Sequence, residues 1–332
     1  AHVSCAGAAD ANIRADATGG TGNVYAFLWT NGETGADLHN IGAGTYSVTA
    51  SDVNGCKGTA ETKVMDPDSL KGAITVYANY NGQAISCAGV ADGRLKALAT
   101  GGTQPFNFLW GDGQTTPNLT DVPAGDYTLT TTDANGCVSV TETTVVDPDP
   151  VVARIGEWSD YNGFGVSCYG SNDGYLRSSA AGGTGQYTFA WEGSSHVGAF
   201  FPNLRAGDYN VTVSDQNGCQ SRAGFIVKEP DPITPETAST KNLRCHGGND
   251  GAITLDAKGG AGHYRYSVFS ERWQSEPHFL QLKADGYTVK VRDANGCEQA
   301  TQQDITSPSP VLISFEGVEP ALCGDARGKV SA

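Results

Sequence analysis

Hydrophobic and polar positions alternate in short runs that return along the chain. Tyr127-Thr128-Leu129-Thr130-Thr131-Thr132 and Tyr209-Asn210-Val211-Thr212-Val213 are rich in β-branched residues and alternate in character. That period and composition predict half-buried strands. Each such run leads into one pentapeptide, as Asp52-Val53-Asn54-Gly55-Cys56, Asp133-Ala134-Asn135-Gly136-Cys137, Asp215-Gln216-Asn217-Gly218-Cys219 and Asp293-Ala294-Asn295-Gly296-Cys297. Near-copies at a period of about 80 residues mark a repeat array. The Asn-Gly step predicts a tight hairpin turn with two positive-φ residues, and a cysteine opens the return strand.

The rest of each unit falls into place ahead of its hairpin. A first motif reads Cys87-Ala88-Gly89-Val90-Ala91-Asp92-Gly93, Cys168-Tyr169-Gly170-Ser171-Asn172-Asp173-Gly174 and Cys245-His246-Gly247-Gly248-Asn249-Asp250-Gly251, with a variant from Cys5 to Asp10. A strand follows, such as Ile253 to Ala257, and then a glycine pair at 19–20, 101–102, 182–183 and 259–260. An aromatic strand comes next, Tyr25 to Trp29, Phe106 to Trp110 and Tyr187 to Trp191, replaced in the fourth unit by Tyr264 to Val268. A turn, a variable segment and Ala-Gly-x-Tyr (Tyr46, Tyr127, Tyr209) complete the unit, with Gly286-Tyr287 in the fourth.

Between units lie Met65-Asp66-Pro67-Asp68, Asp147-Pro148-Asp149-Pro150, Glu229-Pro230-Asp231-Pro232 and Ser307-Pro308-Ser309-Pro310. Proline fixes φ and removes a donor, so these joints read as short, extended and stiff. A strand is expected after each, as at Ile74 to Tyr77, Val151 to Ile155 and Val311 to Phe315, and Asn81-Gly82 and Asn162-Gly163 add an extra turn in the second and third units. Regular strand spacing with glycine turns and no helical period predicts an all-β chain: tandem immunoglobulin-like β-sandwich domains of six or seven strands in an extended array. The boundaries are 1–66 for repeat 1, read as incomplete on its N-terminal side, then 67–148, 149–230 and 231–308, with 309–332 as the start of repeat 5.

The nine cysteines fall at 5 and 56, 87 and 137, 168 and 219, 245 and 297, with Cys323 left over. No Cys-x-x-Cys or paired histidine suggests zinc, so one bridge per unit in an oxidising compartment is the economical reading. The expected pairs are Cys5–Cys56, Cys87–Cys137, Cys168–Cys219 and Cys245–Cys297, with Cys323 unpaired within this chain. A direction count agrees, provided that the strands follow one another in simple antiparallel succession. The Asn-Gly-Cys turn then lands at the end that holds the first cysteine, within the reach of a disulfide.

A formal charge of −15 argues against nucleic acid and against anionic lipid. No run of about 20 apolar residues is present to insert into a membrane. The chain starts at Ala1 without a leader, which reads as an interior piece or a processed product.

Taken together and in order, Cys-x-Gly-x-x-Asp-Gly, Gly-Gly, an aromatic strand ending in Trp, Ala-Gly-x-Tyr, Asp-x-Asn-Gly-Cys and a Pro-rich joint resemble the SprB repeat. That family occurs in very large surface adhesins of gliding Bacteroidetes and in related secreted proteins. The resemblance covers all four units and the start of a fifth. Unit four departs at Trp, and Cys323-Gly324-Asp325-Ala326-Arg327-Gly328 is one residue short of the pattern. It implies export through the type IX system, an extracellular place on the cell surface, and attachment or gliding motility. The function expected is a structural stalk or spacer segment of a large adhesin. Its partners would be the cell-surface or gliding machinery, an external surface or glycan, and further repeats of the same chain. An array of glycan-binding modules is the alternative.

No catalytic constellation emerges. The histidines at 2, 39, 196, 246, 263 and 278 share no repeat position, and Gly19-Gly20-Thr21-Gly22 lacks the Lys-Ser/Thr and helix of a phosphate loop. No enzyme and no cofactor is expected, with calcium as the one candidate. Asp66 and Asp68, Asp147 and Asp149, and Glu229 and Asp231 gather hard oxygen donors at three joints, whereas the Ser307-Ser309 joint has none. Trp29, Trp110 and Trp191 could offer sugars a platform, against the plainer reading of core packing.

Overall fold

The computed structural model describes residues 1–269, 272–314, 317–318 and 330–331. Every regular element among them is a strand. Repeat 1 holds β1 (Ala9–Arg14), β2 (Ala26–Trp29), β3 (Asp37–Gly42), β4 (Gly44–Ser51) and β5 (Lys57–Val64). Repeat 2 holds β6 (Lys71–Val76), β7 (Gly93–Thr100), β8 (Asn107–Trp110), β9 (Asn118–Val122), β10 (Gly125–Thr132) and β11 (Val138–Val145). Repeat 3 holds β12 (Val152–Trp158), β13 (Gly174–Ala181), β14 (Thr188–Trp191), β15 (Phe200–Leu204), β16 (Gly207–Ser214) and β17 (Gln220–Val227). Repeat 4 holds β18 (Thr234–Lys241), β19 (Gly251–Lys258), β20 (Arg265–Ser267), β21 (His278–Leu282), β22 (Asp285–Arg292) and β23 (Glu298–Ile305), and β24 (Gly317–Val318) pairs with β25 (Val330–Ser331).

Repeat 2 shows the plan. One sheet has the order β6-β7-β9 and the other β11-β10-β8. The inward positions of both sheets meet in one core, where Leu95, Leu119 and Ile85 pack with Trp110, Leu129 and Val145. The same two orders recur as β12-β13-β15 with β14-β16-β17 and as β18-β19-β21 with β20-β22-β23. These are β-sandwiches of immunoglobulin-like kind. Each Tyr-led strand is anchored by its hydroxyl, which donates to the carbonyl four residues back: Gly42, Pro123, Arg205 and Lys283 accept from Tyr46, Tyr127, Tyr209 and Tyr287 at 2.8–3.1 Å. Trp29, Trp110 and Trp191 are buried core residues, and Val268 is the buried residue at the end of the corresponding stretch in repeat 4.

A bulge recurs near the Cys-x-Gly end of the β7–β9 type of pair, with register shifts after Gly93, Gly174 and Gly251. Asn40, Asp121, Asn203 and Gln281 sit there in left-handed conformation, at φ of 55, 56, 59 and 60°. Asn and Asp tolerate that region because a short polar side chain can bond locally.

Simple antiparallel succession fails at one place. After β8 the chain makes a tight back-turn, in which Trp110 N donates to Gln114 O at 2.8 Å and Gly113 N to Trp110 O at 2.9 Å. The indole Nε1 of Trp110 ties the far side of that turn through Thr116 O at 2.8 Å. Strand β9 then runs in the same sense as β8, because it lies antiparallel to β7 with Gly93 opposite Val122. Strand β10 therefore starts at the Cys87 end and carries the Asp133 hairpin to the opposite end. One extra reversal thus separates the two cysteines of a unit.

The hairpin itself also differs from expectation. Gly136 is at φ 85°, whereas Asn135 is not in the left-handed region. Asp133 N bonds Cys137 O and Gly136 N bonds Asp133 O, which makes a three-residue loop with a left-handed glycine at its end. The two-residue Asn-Gly turns are the extra ones: Asn81 and Asn162 are both at φ 53°, followed by Gly82 at 91° and Gly163 at 92°. Residues 311–314 carry no strand, contrary to the expectation for Val311 to Phe315, whose last residue lies outside the described residues.

The chain divides into two compact units. The first comprises 1–152, 181–187 and 214–220, and so takes in the glycine turn and the hairpin of repeat 3. The second comprises 153–180, 188–213 and 221–332.

Candidate functional site

The recurring chemistry of this chain lies at the two ends of each repeat. At one end the pentapeptide aspartate organises the hairpin. Asp133 Oδ1 accepts from Asn135 N and Cys137 N at 2.9 Å each, and Oδ2 accepts from Thr103 N, also at 2.9 Å, which ties the hairpin to the Gly101-Gly102 turn. Asp52, Asp215 and Asp293 repeat this with Thr21, Thr184 and Ala261. All four aspartates are buried. Burial pushes the Asp133 carboxyl up, but the backbone donors of Thr103, Cys137 and Asn135 outweigh it and hold the group below its ordinary value. The Thr21 and Cys56 N–H groups do the same for Asp52.

The glycine pair next to it grips the incoming joint. Gly102 N donates to Asp68 O, Gly183 N to Asp149 O and Gly260 N to Asp231 O, at 2.7–2.8 Å. A Cβ on Gly101, Gly182 or Gly259 would stand 2.0–2.1 Å from the carbonyl oxygen of Ser69, Pro150 or Pro232. These glycines have left-handed φ as well, so no other residue fits.

At the opposite end lies the Cys-x-Gly loop. Asp92 Oδ1 closes it by accepting from Ser86 N at 3.0 Å, as Asp10, Asp173 and Asp250 do from Ser4, Ser167 and Arg244. The first acid of each joint secures the same loop. Gly7 N donates to Asp66 at 2.9 Å, Gly89 N to Asp147 at 3.2 Å and Gly170 N to Glu229 at 2.7 Å. At the Ser307 joint the His246 ring contacts Pro308 O instead.

The two ends meet between successive repeats, and there the cysteines join. The bonds are Cys5–Cys137, Cys87–Cys219 and Cys168–Cys297, with Cα separations of 5.7, 5.5 and 5.7 Å. The expected within-unit pairs Cys5–Cys56, Cys87–Cys137, Cys168–Cys219 and Cys245–Cys297 are thereby corrected. The first cysteines Cys5, Cys87 and Cys168 each bond the hairpin cysteine of the next repeat, because the back-turn places the two cysteines of one repeat at opposite ends. Cys56 and Cys245 are free and exposed. Cys323 lies outside the described residues.

The pentapeptide asparagine completes each junction. Asn135 Nδ2 donates to Ser4 O at 3.0 Å. Asn217 Nδ2 donates to Tyr80 O and Ser86 O at 3.2 and 3.1 Å, and Asn295 Nδ2 to Tyr161 O and Ser167 O at 3.1 and 2.8 Å. The extra turns answer in kind, with Asn81 Nδ2 to Asn217 Oδ1 and Asn162 Nδ2 to Asn295 Oδ1 at 2.5 Å. A turn residue that looked purely conformational in the sequence is thus the polar lock of the junction. The recurrence of Asn, where Gly or Asp would also turn the chain, was the available signal.

For the candidate calcium donors, the side chains of Asp66, Asp147 and Glu229 serve backbone N–H groups. The backbones of Asp68, Asp149 and Asp231 serve the glycine turns. Among the described residues no group of three or more His, Cys, Asp or Glu side chains converges to hold a metal.

The SprB repeat model matches residues 2–34, 83–115 and 237–268, which fall in repeats 1, 2 and 4. Each match takes in the Cys-x-Gly loop and reaches into or beyond the aromatic strand, and the third begins inside β18. A search of curated proteins gave no match. Among solved structures, a Ca2+-stabilized adhesin of an Antarctic bacterium that binds ice is 16% identical, over 85% of this chain and 89% of its own, at a TM-score of 0.32. Immunoglobulin domains 1–5 of Sidekick-1 are 11% identical over 92% and 78%, at 0.31. Domains 1–6 of the surface layer protein SbsC are 12% identical over 89% and 51%, at 0.26. With TM-scores this low, nothing about this chain rests on them.

Proposed function

We propose that this chain is a tension-bearing stalk segment of a large cell-surface adhesin, exported to the outside of the cell and serving attachment or gliding. It acts through its partners and not as an enzyme. The three SprB matches support the adhesin reading, and disulfides suit an oxidising, extracellular place. The observation that carries the stalk reading is the stagger of the bonds. The shortest covalent route from Ala1 to Ala332 follows 1–5, crosses to Cys137, follows 137–168, crosses to Cys297 and follows 297–332. Most of every sandwich lies off that route, so pulling cannot draw it out. Glycan binding by each module is the alternative, but the rings of Trp29, Trp110 and Trp191 are buried and offer no stacking face.

Single-molecule stretching between the termini tests this. At about 3.4 Å per residue, the oxidised chain stops near roughly 250 Å and the fully reduced chain near roughly 1,100 Å. Bonds within each repeat would instead allow roughly 430 Å. An oxidised chain that lengthens as far as the reduced one removes the tension-bearing reading.

A further inference from the structure

Repeat 4 departs from its neighbours where β20 ends. In repeats 1, 2 and 3 a buried tryptophan closes the aromatic strand, and its indole ties the back-turn by donating to Gly35 O, Thr116 O or Gly198 O at 2.8–2.9 Å. Val268 stands at that position in repeat 4. It has no indole to hold the turn, and the span from β20 to β21, 268–277, is longer than 111–117 and 192–199. The ladder is shorter as well. Trp29 and Trp110 pair with Val48 and Leu129, but the last pair of β20 is Ser267 with Lys290. Beyond it β20 no longer covers β22, and a groove of about 790 Å³ opens there, lined by Val268, Phe269, Gln281, Lys283, Tyr287 and Lys290, among others.

The walls of this groove are aromatic. Phe269 is 50% exposed and meets Tyr287 edge-on, with ring centroids 6.3 Å apart. The groove does not owe its openness to a chain end. In repeats 2 and 3, each followed by another repeat, the corresponding Pro123 and Asp126, and Arg205 and Asp208, are exposed too.

A row of cations continues from the groove. Val289 and Val291 are buried, so Lys290 and Arg292 lie on the outward face of β22, and Arg265 of β20 is directly opposite Arg292. Like charges placed opposite each other destabilise a sheet. The other repeats avoid this. Thr49 and Ser51, Thr130 and Thr132, and Thr212 and Ser214 stand where repeat 4 has Lys290 and Arg292, and Ala26, Asn107 and Thr188 where it has Arg265. Arg292 is fixed in place, with its guanidinium 4.3 Å from the ring centroid of Trp273 and its Nε donating to Glu298 at 2.8 Å. Among the described residues no carboxylate forms an ion pair with Arg265, Lys283 or Lys290. The acids on or beside this face are Glu298, Asp285 and Asp304. A chain of formal charge −15 thus gathers four cations at one place, against sheet stability, beside an open groove with aromatic walls.

We propose that the groove and cation row of repeat 4 bind an acidic polysaccharide whose charge resides on ring carboxylates. Sugar rings pack on Phe269 and Tyr287, and carboxylates along the polymer meet Lys283, Lys290, Arg292 and Arg265, the guanidinium forks matching carboxylate geometry. Lys290 and Arg292 are about 7 Å apart along β22, so successive charges of one ligand engage both. A groove open at its side admits a polymer that continues past it, whereas a small anion would fill little of it. The site belongs to repeat 4 alone, and it stands whether or not the chain bears tension.

Titration of the full oxidised chain with polygalacturonate oligomers at low salt tests this. Saturable binding is expected, weakening as salt is added, with no binding of neutral dextran. Lys290→Gln and Arg265→Gln should each weaken it about three- to tenfold, and Phe269→Ser by a similar factor. Lys258→Gln removes the same charge from the other sheet of repeat 4 and should leave binding unchanged. Arg265→Gln should melt no lower than the parent, because it removes a like-charge pair, so its weaker binding is separated from any loss of fold. Absence of polygalacturonate binding, equal weakening by Lys258→Gln, or equal affinity for dextran sulfate or double-stranded DNA would overturn the proposal.

Discussion

Cys168 and Cys297 belong to successive repeats and are bonded to each other, with their Cα atoms 5.7 Å apart. The bond closes a loop that contains the hairpin cysteine of Cys168's own repeat, and that cysteine is committed to Cys87. Successive bonds therefore overlap in sequence, and each repeat except the first is held by the one before it. Loop-closure entropy for separations of this size is worth about 5 kcal/mol per bond in the chain-entropy model.

Changing Cys219 to Ser discriminates directly between the two ways of pairing. Peptide mapping of the oxidised variant should find Cys87 as the new free thiol and Cys168 still bonded to Cys297. Within-repeat pairing predicts the reverse, with Cys168 set free. Thermal melting of the variant should fall by several degrees, because one loop constraint on the unfolded chain is lost.

Acid should loosen the hairpins. Asp52 and Asp133 have folded carboxyls held below the ordinary 3.8 by backbone donors, and Asp92 is likewise lowered, where the Ser86 hydroxyl and N–H overcome burial. A depressed folded pKa means that the stabilisation is complete above 3.8 and is lost as pH falls through the lower folded values. The melting temperature should be level from neutral pH down to about pH 4, then drop. Asp133→Asn should melt lower at neutral pH and show a shallower acid drop. An unchanged acid slope in that variant would detach the hairpin aspartate from it.

Much of this was legible in the chain. Alternation and glycine turns gave the strands, and the repeated motifs gave the period, because side chains on a pleat must alternate between core and solvent. Cysteine spacing could not give the pairing, since a constant repeat length makes the distance to the next repeat's cysteine as regular as the distance within a repeat. The parity of the topology decided it, and parity turned on the small back-turn after Trp110. Its cue was the buried indole that needs an acceptor, met by Thr116 O. The acids at the joints read two ways in the sequence, because carboxylates that bond backbone N–H groups and carboxylates that bind calcium use the same residue types.

Chelation is accordingly expected to change little. Asp66, Asp147 and Glu229 already accept backbone hydrogen bonds at 2.7–3.2 Å. Melting curves with a chelator and with added calcium should coincide. A calcium-dependent rise of more than a few degrees would restore a role for the joint acids as ligands.

Asn217 provides the sharpest probe of the junction. Its Nδ2 reaches two carbonyls of the preceding repeat, Tyr80 O and Ser86 O, and its Oδ1 takes a hydrogen bond from Asn81. Alanine would leave two carbonyls and one amide of that repeat without this partner, and water can reach part of the site. The cost should be about 1–2 kcal/mol. That energy opens the seam around the Cys87–Cys219 bond, so a dilute thiol should reduce this disulfide about tenfold faster than in the parent chain. Cys168–Cys297 should be reduced at the parental rate. Asn54 occupies the same place in its hairpin but is exposed, and Cys56 beside it is free. Asn54→Ala should therefore leave every reduction rate unchanged. Equal acceleration by Asn54→Ala and Asn217→Ala would show that the asparagine acts within its own hairpin, with the junction playing no part.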